Sequence, residues 1–88
     1  MMATFPLRIL CPDGVKFDGQ AQLLTIRATT GDMGILAGHA NCVASLGMGQ
    51  ATVIADGTVQ HAVCEGGLVR VMNGAVTMLP ITFEWASK

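Results

Sequence analysis

Gly31-Asp32-Met33-Gly34-Ile35-Leu36-Ala37-Gly38-His39-Ala40 packs three glycines, one acid and one histidine into a short span. Glycine reaches backbone angles with φ > 0 and lets another backbone come close. Three at this spacing argue against a helix and predict a shaped loop joined to a short strand near Gly34–Leu36. On both sides the chain alternates apolar and polar residues with period two, the pattern of half-buried strands. Leu24, Ile26 and Ala28 fall on one face, with Thr25 and Arg27 opposite. Leu7, Ile9 and Cys11 share a face away from Arg8. Val59, His61 and Val63 alternate with Gln60 and Ala62.

Turn chemistry divides these runs. Pro12-Asp13-Gly14 combines a preset φ, a residue that tolerates local bends and a glycine. Asp56-Gly57 and Asn73-Gly74 are hairpin signals, because a type I′ turn needs φ > 0 at both central residues. Around the second turn, Val69 and Val71 should pair with Val76 and Met78. Strands are expected at Phe5–Cys11, Val15–Phe17, Ala21–Ala28, Gly34–Leu36 and Cys42–Leu46. Five more are expected at Gln50–Ala55, Thr58–Cys64, Leu68–Met72, Ala75–Leu79 and Thr82–Trp85. Short strands separated by turns predict an all-β domain over residues 1–88: one β-sandwich of about ten strands in two sheets.

Composition limits the function. The charged fraction is 12%, against about 25% in a typical soluble domain. There is too little charge to cover the outside, so apolar surface is either exposed or covered by a partner. Net charge is −1, and the five basic residues are scattered, which argues against a nucleic-acid partner. No apolar run approaches the ~20 residues that span a bilayer, and no basic-then-apolar leader opens the chain. The Met1-Met2 start carries no structural weight. Three cysteines, an odd number, read as free thiols in a reducing compartment.

The residues show no reactive constellation. His39 and Cys42, and His61 and Cys64, form two H-x-x-C units that together hold the ligands of a tetrahedral zinc site. Residues i and i+3 of a strand point to opposite faces, so His61 and Cys64 should diverge. Asp32 and Glu65 read as isolated loop acids that are solvated or cap backbone amides. Gly47-Met48-Gly49 lacks the third glycine and following helix of a dinucleotide fingerprint. No catalytic residue, cofactor or metal is expected. On the residues alone, a binding or structural module is favoured. A small Cys/His metal-dependent enzyme and a generic β-sandwich interaction module remain the alternatives.

The Gly31–Ala40 stretch resembles the G-[ED]-x-G-I-x-x-G-H-A segment in the N-terminal β-sandwich domain of F-type ATP synthase epsilon subunits. Phe5–Pro12 is similar to that family's opening strand, and Val15–Gly19 to its x-F-x-G step. Glu65-Gly66-Gly67-Leu68-Val69-Arg70-Val71 resembles its S-G-G-x-x-E-V strand. Asn73–Leu79 is similar to its x-G-x-V-x-[VI]-L arm, and Thr82–Ala86 to its closing segment. These motifs follow in family order over nearly the whole chain.

The resemblance implies a non-catalytic rotor part that clasps the gamma subunit and sits on the c-subunit ring. The coupling ion would be a proton or sodium. It implies a peripheral place on the cytoplasmic side of a bacterial inner membrane, held through the complex, with self-association possible when the partners are absent. The ring-facing loop corresponds to Thr29, Thr30, Gly31, Asp32 and Met33. The gamma-facing region corresponds to His39, Ala40, Asn41, Cys42 and Val43, with Glu65 nearby. Replacing Asp32 or deleting Gly31–Met33 is expected to loosen the ring contact and spare the fold.

Two departures stand out. Ala37 and Asn41 occupy positions where the family often has proline, so this loop is expected to be more mobile. Family members usually continue into a linker and a two-helix hairpin that can inhibit hydrolysis and, in some bacteria, bind ATP. An 88-residue chain ending at Lys88 is expected to carry neither.

Overall fold

In a computed structural model the chain is described over residues 3–86; the Met1-Met2 start and the end at Lys88 lie outside the described residues. Eight strands follow one another: β1 Phe5–Cys11, β2 Gly14–Ala21, β3 Leu23–Ala28, β4 Gly31–Ile35, β5 Cys42–Ser45, β6 Gly49–Ala55, β7 Thr58–Met72 and β8 Ala75–Trp85. No helix occurs among the described residues.

The hairpin turns form where the sequence puts them. Asp56 and Asn73 are the non-glycine residues with positive φ, at 51° and 50°, each followed by a glycine. The register places Val69 opposite Met78 and Val71 opposite Val76, as the alternation predicts.

Eight strands replace the expected ten because β7 and β8 each run through two of the expected segments. The continuity comes from a bend, not a break, at Gly66 and Gly67, whose φ values are 72° and 94°. A Cβ on Gly67 would lie 1.9 Å from the Leu79 carbonyl oxygen. Only glycine lets β8 pass this close while the strand changes direction. Before the bend, β7 pairs with β6; after it, β7 pairs with β5. β8 pairs with β7 on both sides of the bend, and its first half also lies parallel to β1.

The ladder therefore folds into two layers. One is β2-β1-β8-β7-β5. The other is β8-β7-β6-β3-β4.

Three other boundaries differ from expectation. Val15–Phe17 extends to the whole of β2, which pairs with β1 along its length. The expected strand Ala21–Ala28 is interrupted at Gln22. There the backbone N–H donates to Ile54 O at 2.6 Å, and the side-chain oxygen accepts from Gly57 N at 2.9 Å. The strand expected at Gly34–Leu36 begins earlier, so Gly31, Asp32 and Met33 belong to β4.

The core lies between the layers. Leu7, Ile9, Val69, Val71 and Met78 enter it from one side; Leu24, Ile26, Ile35, Val53 and Phe83 enter from the other. Each such aliphatic side chain contributes about 1.5–3 kcal/mol on burial. No buried polar or charged residue interrupts the core among the described residues. Phe83 and Trp85 meet edge to face with centroids 4.9 Å apart, and the Trp85 indole N–H donates to Lys16 O at 3.2 Å. Outside, large apolar side chains such as Val15, Val43, Met48, Val63 and Ile81 stay exposed, as the low charge content predicts.

Candidate functional site: two segments at the ends of strand β5

The five residues Thr29, Thr30, Gly31, Asp32 and Met33 form one arm and the tip of the β3–β4 hairpin. Ala28 pairs with Gly31 and Arg27 with Asp32, leaving Thr29-Thr30 as a two-residue turn. The segment expected as a loop is thus mostly strand, because antiparallel pairing satisfies its backbone groups. Arg27 Nε donates to Asp32 Oδ1 across the hairpin. Arg27 lies flat there because Gly49 has no side chain: a Cβ at that position would come within 2.8 Å of Arg27 Cβ. The Thr29 backbone N–H donates to Ser45 O at 2.9 Å, and Gly47 N to Arg27 O at 2.9 Å. The tip is therefore anchored to the far end of β5. Met33 turns inward against the core, whereas Asp32 is exposed.

Beside this ion pair lies a shallow depression of about 420 Å³, lined by Thr25, Arg27, Asp32, Gly34, Gln50 and Thr52. Thr52 Oγ1 is hydrogen-bonded to His61 Nδ1 at 2.9 Å. Ile26 and Met33 complete the lining, so hydroxyls, an amide and a paired guanidinium surround a partly apolar floor.

His39, Ala40, Asn41, Cys42 and Val43 lie at the other end. His39 N–H donates to Leu36 O at 3.1 Å. The His39 ring sits 2.8 Å from Ala40 O through Nδ1; a carbonyl only accepts, so Nδ1 carries the proton there. Asn41 Oδ1 accepts from the backbone N–H of Asn73 at 2.8 Å. The loop expected to be mobile without its prolines is thus tied to the β7–β8 turn. Cys42 and Val43 open β5, Cys42 leaning on the core and Val43 pointing out. Glu65 is not gathered with them: it precedes the bend of β7, opposite Thr82.

The thiols diverge from the imidazoles. His61 is exposed on β7 while Cys64 is buried, as strand geometry predicts. Among the described residues no three His, Cys, Asp or Glu side chains gather as a metal site would require. Burial pushes the Cys64 thiol above its ordinary value, and the neighbouring Cys11 adds to this. Cys11 is raised as well, first by burial and then by the Asp13 charge; its Sγ faces Pro80 O and Ile81 O at 3.5 Å. Lys16 Nζ donates to Asp13 Oδ2 at 3.2 Å and holds that carboxyl below the usual range. A thiol kept protonated is a poor nucleophile.

The family model for the ATP synthase, Delta/Epsilon chain, beta-sandwich domain matches residues 4–86. The chain belongs to this family. It is 38% identical over 88 residues to the ATP synthase epsilon chain of Ruminococcus albus, covering 99% of this chain and 66% of that protein. To the ATP synthase epsilon chain of Bacillus subtilis it is 36% identical over 85 residues, covering 97% and 64%. This family member thus spans less than two thirds of the length of those relatives. Among solved structures, a chain of the Euglena gracilis mitochondrial ATP synthase OSCP/F1/c-ring superposes with a TM-score of 0.87 at 27% identity, covering 97% of this chain and 55% of that one. A chain of the Tetrahymena thermophila mitochondrial ATP synthase central stalk and c-ring gives 0.80 at 10% identity, covering 94% and 67%. That second likeness is one of fold.

Sequence reading missed the partners that hold these segments. Arg27 carried no motif of its own, Asn73 was legible only as part of a hairpin turn, and Gly49 only as part of Gly47-Met48-Gly49. The signal for Arg27 was present: a two-residue Thr29-Thr30 turn puts it opposite Asp32, but two threonines lack the glycine that marks a tight hairpin.

Proposed function

We propose that this chain serves as the β-sandwich part of an ATP synthase epsilon subunit, a central-stalk element that carries c-ring rotation to the gamma subunit and does no chemistry itself. The coupling ion in such a synthase is a proton or sodium. One observation carries the reading. In a chain matched to the family over residues 4–86, the two candidate segments meet opposite ends of one strand: Thr29 is bonded to Ser45 at one end of β5, and Asn41, just before its other end, to Asn73. A cross-paired sandwich between two contacts transmits force, because its strands cannot slide without breaking ladder hydrogen bonds.

Thr29, Thr30, Gly31, Asp32 and Met33 would face the c-ring, with the threonine hydroxyls and the Asp32 carboxylate as the polar contacts. His39, Ala40, Asn41, Cys42 and Val43 would face gamma, where small side chains allow close approach; Glu65 would meet gamma from beyond the bend. The protein would reach the membrane through the complex, as a peripheral component on the cytoplasmic side of a bacterial inner membrane. The experiment is reconstitution of the chain with the gamma subunit and the c-ring of its own organism. A stable complex is expected, and Asp32→Ala should weaken ring retention while gamma stays bound. Failure to bind gamma overturns the reading. Stoichiometric zinc in the purified protein would support a Cys/His enzyme instead.

A further inference from the structure

The outer face of the β2-β1-β8-β7-β5 layer carries a cross-strand row: Val43, Arg70, Thr77, Arg8 and Asp18, one from each strand. Around Arg70, Val43 is 64% exposed, Met72 45%, Leu79 40% and Leu68 37%. Among the described residues, the other basic side chains all have a carboxylate: Arg8 has Asp18, Lys16 has Asp13 and Arg27 has Asp32. Arg70 has none. Adjacent strands lie about 4.8 Å apart, so Asp18, three strands away, is roughly 14 Å off along the row.

Exposed to water, an unpaired arginine is unremarkable. Covered by an apolar partner, it is expensive: a buried guanidinium without a counter-charge loses hydration and regains nothing. Any protein that covers Leu68, Met72 and Leu79 must cover Arg70 as well. The planar guanidinium matches a carboxylate in a bidentate fork.

We propose that this face docks an apolar protein surface carrying one carboxylate opposite Arg70, and that this pair selects the partner. The inference rests on the reading above: Val43 joins the face to the candidate gamma-facing segment, so the occupant is the gamma subunit. Arg70 supplies charge selection, and Leu68, Met72 and Leu79 supply the desolvated surroundings that make it effective.

The test is binding of the purified chain to the gamma subunit of its own organism by calorimetry at low and high salt. Arg70→Glu should weaken binding at least tenfold, and Arg70→Lys, which keeps the charge but loses the fork, should fall between Arg70→Glu and wild type. Arg8→Gln, on the same face but already paired, should lie near wild type. Unchanged thermal melts will show that each variant is folded. Wild-type binding to gamma with Arg70→Glu equally tight overturns the inference and leaves the proposed function standing. No wild-type binding overturns the proposed function, and the inference with it. Loss of self-association in Arg70→Glu with gamma binding intact makes the face a contact between copies of this chain and also overturns the inference.

Discussion

Asn41 Oδ1 accepts the backbone N–H of Asn73 at 2.8 Å, so the loop entering β5 is pinned to the turn joining β7 and β8. The bond spans 32 residues of sequence and closes the candidate gamma-facing end. It gives by hydrogen bonding the order that a proline at this position would give by fixing φ.

Asn41→Ala removes the acceptor and leaves the Asn73 amide to solvent. Such bonds contribute about 0.5–1.5 kcal/mol, so the melting temperature should fall by about 2–12 °C. Hydrogen exchange at the Asn73 amide should accelerate selectively. Asn41→Asp keeps an acceptor oxygen and should retain most of the protection. Equal exchange in all three proteins would show that the bond does not order the loop.

Gly67 and Leu79 set the second prediction. In Gly67→Ala the new methyl would sit 1.9 Å from the Leu79 carbonyl oxygen, at a φ of 94°. The obstacle is backbone, so no rotamer relieves it. The expected loss is at least about 3 kcal/mol, a drop of roughly 12–24 °C in a domain this size. Gly66→Ala instead meets Ile81 Cδ1 at 2.9 Å, the tip of an exposed side chain that can turn away. Denaturant midpoints should therefore rank wild type above Gly66→Ala, and Gly66→Ala above Gly67→Ala.

Most of the fold was legible because alternation and type I′ turns are local signals. Val69, Val71, Val76 and Met78 were paired correctly from the Asn73-Gly74 turn alone. What escaped were features set by distant contacts. The continuity of β7 through Gly66-Gly67 depends on β8 pairing alongside it on both sides of the bend, which no window around the glycines contains. The break at Gln22 depends on Ile54 and Gly57. The candidate site was legible as a segment but not as a geometry: Gly31–Met33 read as loop because nothing local announced that Arg27 stood across from Asp32.

That pairing corrects one expectation and sharpens a third prediction. Gly31–Met33 was expected to be dispensable to the fold, yet Met33 packs on the core. Removing these three residues shifts the register by an odd number and brings Ile35, fully buried, opposite Arg27 on the outer face. The deletion should therefore unfold or aggregate the protein. Asp32→Ala is the informative change. It breaks an exposed ion pair, so stability should move by no more than about 1 kcal/mol. Circular dichroism melts of both variants check this: a cooperative melt for the deletion would show that β4 is not needed.

The thiols of buried Cys64 and half-buried Cys11 predict the response to alkali. Burial holds Cys64 and Cys11 protonated in the folded chain beyond their ordinary pKa, which is about 8.5 for a solvated cysteine. As pH rises past that value, the unfolded chain loses these protons first and binds fewer than the native state. Stability then falls with rising pH, beginning near pH 8.5 and levelling only above the folded-state values. Below pH 8 both states are protonated and the thiols add no slope. The measurement is a difference between two proteins, which cancels whatever the rest of the chain contributes. Urea midpoints of wild type and Cys64→Ala should be compared at pH 7.5 and 9.5. The wild type should lose more across that interval than the variant, and native Cys64 should resist alkylation until urea unfolds it. Parallel midpoints and rapid native alkylation would place Cys64 in contact with water and remove burial as the source of its shift.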